Sequence, residues 1–176
     1  MKRSILLLTI SLLAAACGDG TTAVAPSAAT ATGPFVFTAQ IAAQNEVPPP
    51  ANAESTANGA AQVTMTVARD ASNAITSATA NFVIQVAGLP TDTTFVGAHI
   101  HPGVLGVVGP VIVNTTLSSG TPPQVVNGLA TWTFNNITVP VATAQAMLDN
   151  PAGFYFNVHT FTNPGGVARG QLRRTF

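Results

Sequence analysis

From residue 35 onward the chain alternates apolar and polar positions in short runs. Positions 35–41 (Phe-Val-Phe-Thr-Ala-Gln-Ile) predict a first strand. Over 62–67, Val63, Met65 and Val67 share one face; over 79–86, Phe82, Ile84 and Val86 do. Further strands are expected at 94–101, 110–116, 129–137, 154–160 and 167–175. In 129–137, Trp132 and Phe134 lie opposite Leu129, Thr131, Thr133 and Asn135, which makes Trp132 a core residue. Turn signals separate the runs: the prolines at 48–50, Asp70 to Asn73, Gly88-Leu89-Pro90, and a Ser/Gly/Pro loop at 118–123. The segment 141–148 is the one helix expected, stopped by Asn150-Pro151-Ala152-Gly153. About eight closely spaced strands and one short helix predict an all-β Greek-key sandwich or barrel.

Composition narrows the function. Only 7% of the 176 residues are charged, against about 25% in an ordinary soluble domain. Lysine occurs once, at Lys2. Without clustered Lys and Arg, phosphate-based nucleic-acid binding is excluded. No nucleophile triad, phosphate-cradling glycine loop or paired catalytic carboxylates are present, so an enzyme is the less favoured class. Asp92 and Asp149 sit in turn contexts. Asn114-Thr115-Thr116 and Asn136-Ile137-Thr138 fit a glycosylation pattern, which the bacterial style of the leader discounts.

The N-terminus reads as an address. Lys2 and Arg3 precede an apolar run to Ala16 of about a dozen residues, against roughly 20 for a membrane span. Ala14-Ala15-Ala16-Cys17 resembles the lipobox of bacterial lipoproteins, with Ala14 where leucine is usual. A lone thiol in an exported chain has no internal disulfide partner, and acylation gives it a use. Residues 1–16 are therefore expected to be a signal peptide, Cys17 the palmitate-type lipidation site, 17–33 a Thr/Ala/Ser/Gly/Pro tether, and 34–176 the folded domain. Loss of Lys2 and Arg3 leaves four basic and six acidic groups, a net charge of −2. A monomer anchored in the bacterial cell envelope is expected. The outer membrane is preferred because Gly18, directly after Cys17, carries no retention charge.

The chemistry rests on the three histidines in the chain, His99, His101 and His159. On a strand, residues two apart project from one face, about 6.6–6.8 Å apart. His99 and His101 then share a face with Phe95 and Gly97, while Val96, Ala98 and Ile100 form the core side. In the later strand Phe154, Phe156 and Val158 face the core, and Tyr155, Asn157 and His159 oppose them. All three histidines oppose an apolar face, which argues against buried core histidines. Neutral imidazoles suit copper, zinc, iron or nickel. The competing reading is a polar cluster that bonds loop backbone. Tyr155 could lie near a metal, though a surface position is favoured. Glu46 could close a site or, preferably, cap a loop. Arg169 could pair with Glu46 or guide an anion.

Gly97-Ala98-His99-Ile100-His101-Pro102-Gly103 with Gly109-Pro110-Val111 resembles the first signature of the CHRD (chordin-type) domain. Tyr155-Phe156-Asn157-Val158-His159-Thr160, Asn163-Pro164-Gly165-Gly166 and Arg169-Gly170-Gln171-Leu172 resemble its terminal signature, and Gln44 to Pro49 its opening motif. The family usually places an acidic and an aliphatic residue before the arginine, where this chain has Val167-Ala168. The resemblance spans about 35–175 and implies a domain of chordin and of exported bacterial proteins, with no defined activity.

The segment 97–103 is also distantly similar to the Gly-Phe-His-Val-His-x-x-Gly stretch of copper–zinc superoxide dismutases, as Val158-His159 and Arg169 are to a later region of that family. That likeness implies a dismutase-like fold with His99, His101 and His159 as copper ligands. Arg169 would stand in the place of an anion-guiding arginine. Three His and one Cys cannot furnish a bridging histidine, a zinc loop and a disulfide, so a dinuclear copper–zinc site is excluded by counting. The expectation is one transition metal, copper before zinc, on the three histidines, with Tyr155, Asn157, Arg169 and Glu46 as outer partners. Any redox chemistry would then be mononuclear. The alternative is a non-catalytic surface module with an envelope or extracellular protein partner.

Overall fold

In the computed structural model, residues 30–117 and 123–175 are described. The leader, Cys17, most of the tether and the loop at 118–122 lie outside them. Nine strands form one antiparallel sheet in the order β5-β4-β7-β8-β1-β2-β3-β6, with β9 also paired to β1. The strands are β1 (Thr30–Ala42), β2 (Asn58–Arg69), β3 (Ile75–Ala87), β4 (Phe95–Pro102), β5 (Val113–Asn114), β6 (Leu129–Thr138), β7 (Phe154–Thr160), β8 (Ala168–Gln171) and β9 (Arg173–Thr175). One helix, α1 (Val141–Asp149), precedes β7 and buries Ala144 and Met147. The all-β architecture is the one expected. The sheet curls into a nearly closed barrel, and its two halves meet through aromatic pairs: Phe82 and Phe156 at 6.0 Å between centroids, Phe95 and Trp132 at 4.8 Å.

The alternating runs fill this interior. Phe37, Ala39 and Ile41 of β1, Val63, Met65 and Val67 of β2, and Phe82, Ile84 and Val86 of β3 are all buried. Trp132 and Phe134 are half-buried against the core, while Leu129 is exposed. Burying apolar surface contributes roughly 25 cal/mol per Å2, and nearly every strand supplies one face to it.

β2 and β3 extend beyond the expected runs at both ends, and four further features differ from the expectation. β1 begins at Thr30, inside the stretch expected to be tether, because 30–32 pair with 67–69 across a bulge between Thr32 and Phe35. The strand expected at 110–116 shrinks to Val113–Asn114. Gly109 packs directly on the Pro102 carbonyl before it, and Thr116 turns left-handed (φ 62°) after it. The run 167–175 divides at Leu172, whose side chain is buried and whose N–H bonds Phe154 O. Its first part pairs with β7 and its second with β1. Finally, a register shift between Phe95 and Gly97 turns Phe95 into the core and leaves Val96 half-buried. Phe95 is therefore not on the histidine face.

Candidate metal centre

The register of β4 against β7 builds the site. Gly97 faces His159, His99 faces Asn157, and His101 faces Tyr155. Asn157 in turn faces Arg169 on β8. With Ala98, Ile100, Phe156 and Val158 committed to the core, the period of two sends these residues to the outer face. That face is nevertheless covered. His101, Tyr155, Asn157, His159 and Arg169 are buried, and His99 is half-buried. The loop after β4 and the loop between β7 and β8 provide the cover through their backbone carbonyls.

The three histidines converge. One ring nitrogen of each lies within 4.8 Å of the other two. His99 and His159 have ring centroids 4.9 Å apart, His99 and His101 5.7 Å. Gly97 makes this approach possible. A Cβ there would sit 2.7 Å from His99 Cε1 and 3.4 Å from His159 Cδ2, so the His99 ring occupies the space of the missing side chain.

The hydrogen bonds set the tautomers. His101 Nδ1 lies 2.9 Å from Gly109 O, and His159 Nδ1 lies 2.9 Å from Pro164 O. A carbonyl only accepts, so each Nδ1 carries the proton and each neutral ring keeps a lone pair on Nε2. His101 Nε2 and His99 Nδ1 are buried with no hydrogen-bond partner. Ligating histidines commonly donate their second N–H to a carbonyl in this way. Two ligands on one ion at about 2.0–2.1 Å are at most about 4.2 Å apart, so closing the site takes ring shifts of about 1 Å. The donor set fits a transition metal.

Electrostatics keep the rings neutral. Burial pushes His99 down to about 4, helped by the neighbouring His159 and His101. Burial also lowers His101 and His159, opposed by their bonds to Gly109 and Pro164. Neutral imidazole is the ligating form.

The fold brings Tyr155, Asn157, Arg169 and Glu46 around the histidines. Tyr155 is buried, not superficial. It stacks on His101 at 4.8 Å and 2°, and its hydroxyl accepts the Gly109 N–H at 3.2 Å. Arg169 lies over the tyrosine ring, with Cζ 3.5 Å from its centroid. Its guanidinium donates to Val107 O at 3.2 Å and Val104 O at 3.4 Å, so it ties the loop after β4 to the sheet. Glu46 follows the 3-10 turn Ala43–Asn45 and is buried under Gly166, where a Cβ would stand 2.5 Å from its Oε1. Burial raises its carboxyl to about 7, against the lowering effects of Arg169, Asn157 and the Val47 backbone. Its backbone N–H closes the 3-10 turn on Ala43 O, while its side chain lies near Asn157 and Arg169.

Glu54 carries no sequence signal. It is buried and accepts from Thr93, Thr160 and Asn163. These bonds fix the 160–166 loop that presents Pro164 O to His159. Its segment reads as an ordinary polar loop, and only the fold brings its three donors together.

A family model for the CHRD domain matches residues 37–172. The chain belongs to the CHRD domain family. No curated protein and no solved structure matches it. The match runs from within β1 to just past the end of β8, so the histidine cluster, Arg169 and Glu46 all lie within the CHRD domain.

Proposed function

We propose that this CHRD-domain protein is exported, lipid-anchored through Cys17 in the bacterial envelope, and binds one transition-metal ion, copper before zinc, through His99, His101 and His159. The observation that carries the metal reading is the convergence of three neutral imidazoles within 4.8 Å, with two buried nitrogens left without a partner. Leaving buried polar atoms unpaired costs about 1–3 kcal/mol each, a cost that a bound cation would offset. The protein holds and orients: Gly109 O and Pro164 O fix two rings, Gly97 admits the third, and Tyr155 with Arg169 backs His101. We read it as a binding protein rather than a turnover enzyme. Calorimetric titration of the full chain with Cu(II), Cu(I) and Zn(II), beside His99→Ala, tests the site. One equivalent bound at submicromolar Kd and lost in the variant supports it; weak binding indifferent to His99 sinks it. For the anchor, Cys17→Ser should move the protein from the membrane to the soluble fraction of the producing cells. An unchanged membrane fraction would count against lipidation.

One observation favours the second reading, a surface interaction module. Val104, Leu105, Val107 and Val108 on the loop after β4 are 50–69% exposed, an apolar cluster of the kind that marks contact sites. If His99→Ala leaves metal binding unaltered while Leu105→Asp abolishes cell-surface adhesion, this second reading replaces the first.

A further inference from the structure

Asn157 holds a position that the three-histidine set does not use. It is buried on β7, opposite His99 in register and between the histidines and Arg169. Its carbonyl oxygen Oδ1 lies 3.0 Å from His159 Nε2. With the His159 proton on Nδ1 toward Pro164 O, two lone pairs face one another at that distance. Such a pair calls for a cation beside them that both can bind. The other end of the carboxamide explains why it does not turn around. Glu46 lies on the far side of the carboxamide, close enough for Asn157 to lower its pKa, and an acceptor there favours the NH2 on that side and Oδ1 toward His159. Glu46 packs into the space a side chain at Gly166 would fill, since a Cβ there would stand 2.5 Å from Oε1 and 2.6 Å from Oε2. Two donors at right angles on one ion, each at about 2.1 Å, stand about 3.0 Å apart, which matches the His159–Asn157 spacing.

We propose that Asn157 Oδ1 is a fourth ligand of the metal site, aimed by Glu46, and that this oxygen makes the site one for divalent copper in preference to Cu(I). The inference rests on the three-histidine reading. Its chemical basis is ligand hardness. An amide oxygen adds little for the soft monovalent ion, whereas Cu(II) takes mixed nitrogen and oxygen donors in tetragonal geometry.

The test uses the full chain with Cys17→Ser throughout, so that the lone thiol does not compete for Cu(I). Cu(II) and Cu(I) affinities are measured by chelator competition for this background, for Asn157→Ala, for Asn157→Asp and for His99→Ala, with Tm as a check on folding. Asn157→Ala is expected to weaken Cu(II) by about 10–100-fold while Cu(I) stays within a few-fold. Asn157→Asp, which keeps an oxygen at the position, is expected to retain Cu(II). The Cu(II) spectrum of the background should show paramagnetic parameters that Asn157→Ala alters while nitrogen couplings persist. Equal losses in both oxidation states would make Asn157 a scaffold and overturn the proposal. A gain in affinity on removal would overturn it too, because the amide would then be a lone-pair blocker. Copper binding that His99→Ala abolishes and Asn157→Ala leaves intact overturns this inference alone and leaves the three-histidine site standing. A background chain that binds neither ion overturns both.

Discussion

Alanine at Gly97 separates the metal site from the fold. The added Cβ would meet His99 Cε1 at 2.7 Å and His99 Nε2 at 3.3 Å. Carbon atoms in good contact stand about 3.5–4.0 Å apart, so the ring must retreat by roughly 1 Å. The colliding atoms belong to the end of a side chain on a half-buried residue, so the ring can swing and the barrel need not move. Gly in a strand costs about 0.5–1 kcal/mol relative to Ala, and an off-rotamer histidine costs about 0.5–1.5 kcal/mol. These terms oppose each other, so Tm should barely change. Metal binding responds differently. A ligand drawn back by about 1 Å from a bond of about 2.0–2.1 Å no longer coordinates. Affinity should fall at least about tenfold, or about 1.4 kcal/mol, and approach that of His99→Ala. Isothermal titration with Cu(II) and differential scanning calorimetry on the same preparations give both quantities. Wild-type affinity at wild-type Tm would refute the reasoning, since His99 would then not reach the site through the space above Gly97.

Three other perturbations test the surrounding network. Arg169→Lys should destabilise by about 2–3 kcal/mol, because charged hydrogen bonds of about 1.5–3 kcal/mol to the Val104 and Val107 carbonyls lose their planar donor; amide exchange should rise in the loop after β4, and a chain with unchanged Tm and protection would contradict this. Glu54→Gln puts an amide NH2 among the donors of Thr160 and Asn163, so a loss of about 1–3 kcal/mol is expected, with faster exchange across 160–166; chemical denaturation reads it, and a change within experimental error would discount the clamp. The pH dependence has a definite sign. Glu46 is raised from 4.5 to about 7, so the native state holds a proton that the unfolded chain has released. Its contribution is full below pH 4.5 and is lost as pH rises through 7. His99 is lowered from 6.5 to about 4, so its contribution is full above 6.5 and is lost as pH falls toward 4. Glu46→Gln should therefore gain on wild type in Tm between pH 4.5 and 7 and keep that gain above 7; parallel Tm curves across this range would rule out a buried, proton-holding Glu46.

Most of the fold was legible because burial leaves a period in the chain. Val63, Met65 and Val67, or Phe82, Ile84 and Val86, announce a strand with one buried face, and these positions are buried. The pattern misleads where the backbone breaks period. At the bulge between Phe95 and Gly97 one extra residue flips Phe95 into the core, and no local residue choice marks that shift. Tyr155 reads as a surface residue because its face opposes the core. It is buried because a distant loop, tied down by Arg169, lies over it.

The candidate site divides in the same way. His99, His101 and His159 were recognisable as the only imidazoles, set opposite apolar faces, because residue type and a period of two are local properties. That the three meet within 4.8 Å follows from the pairing of β4 with β7, which joins segments more than fifty residues apart. Tertiary structure alone decided which carbonyls fix the tautomers, that Gly97 is the space for a ring, and that Glu46 and Asn157 stand together. These are distances between chain segments, and a linear pattern of residue types holds no record of which segments will be brought face to face.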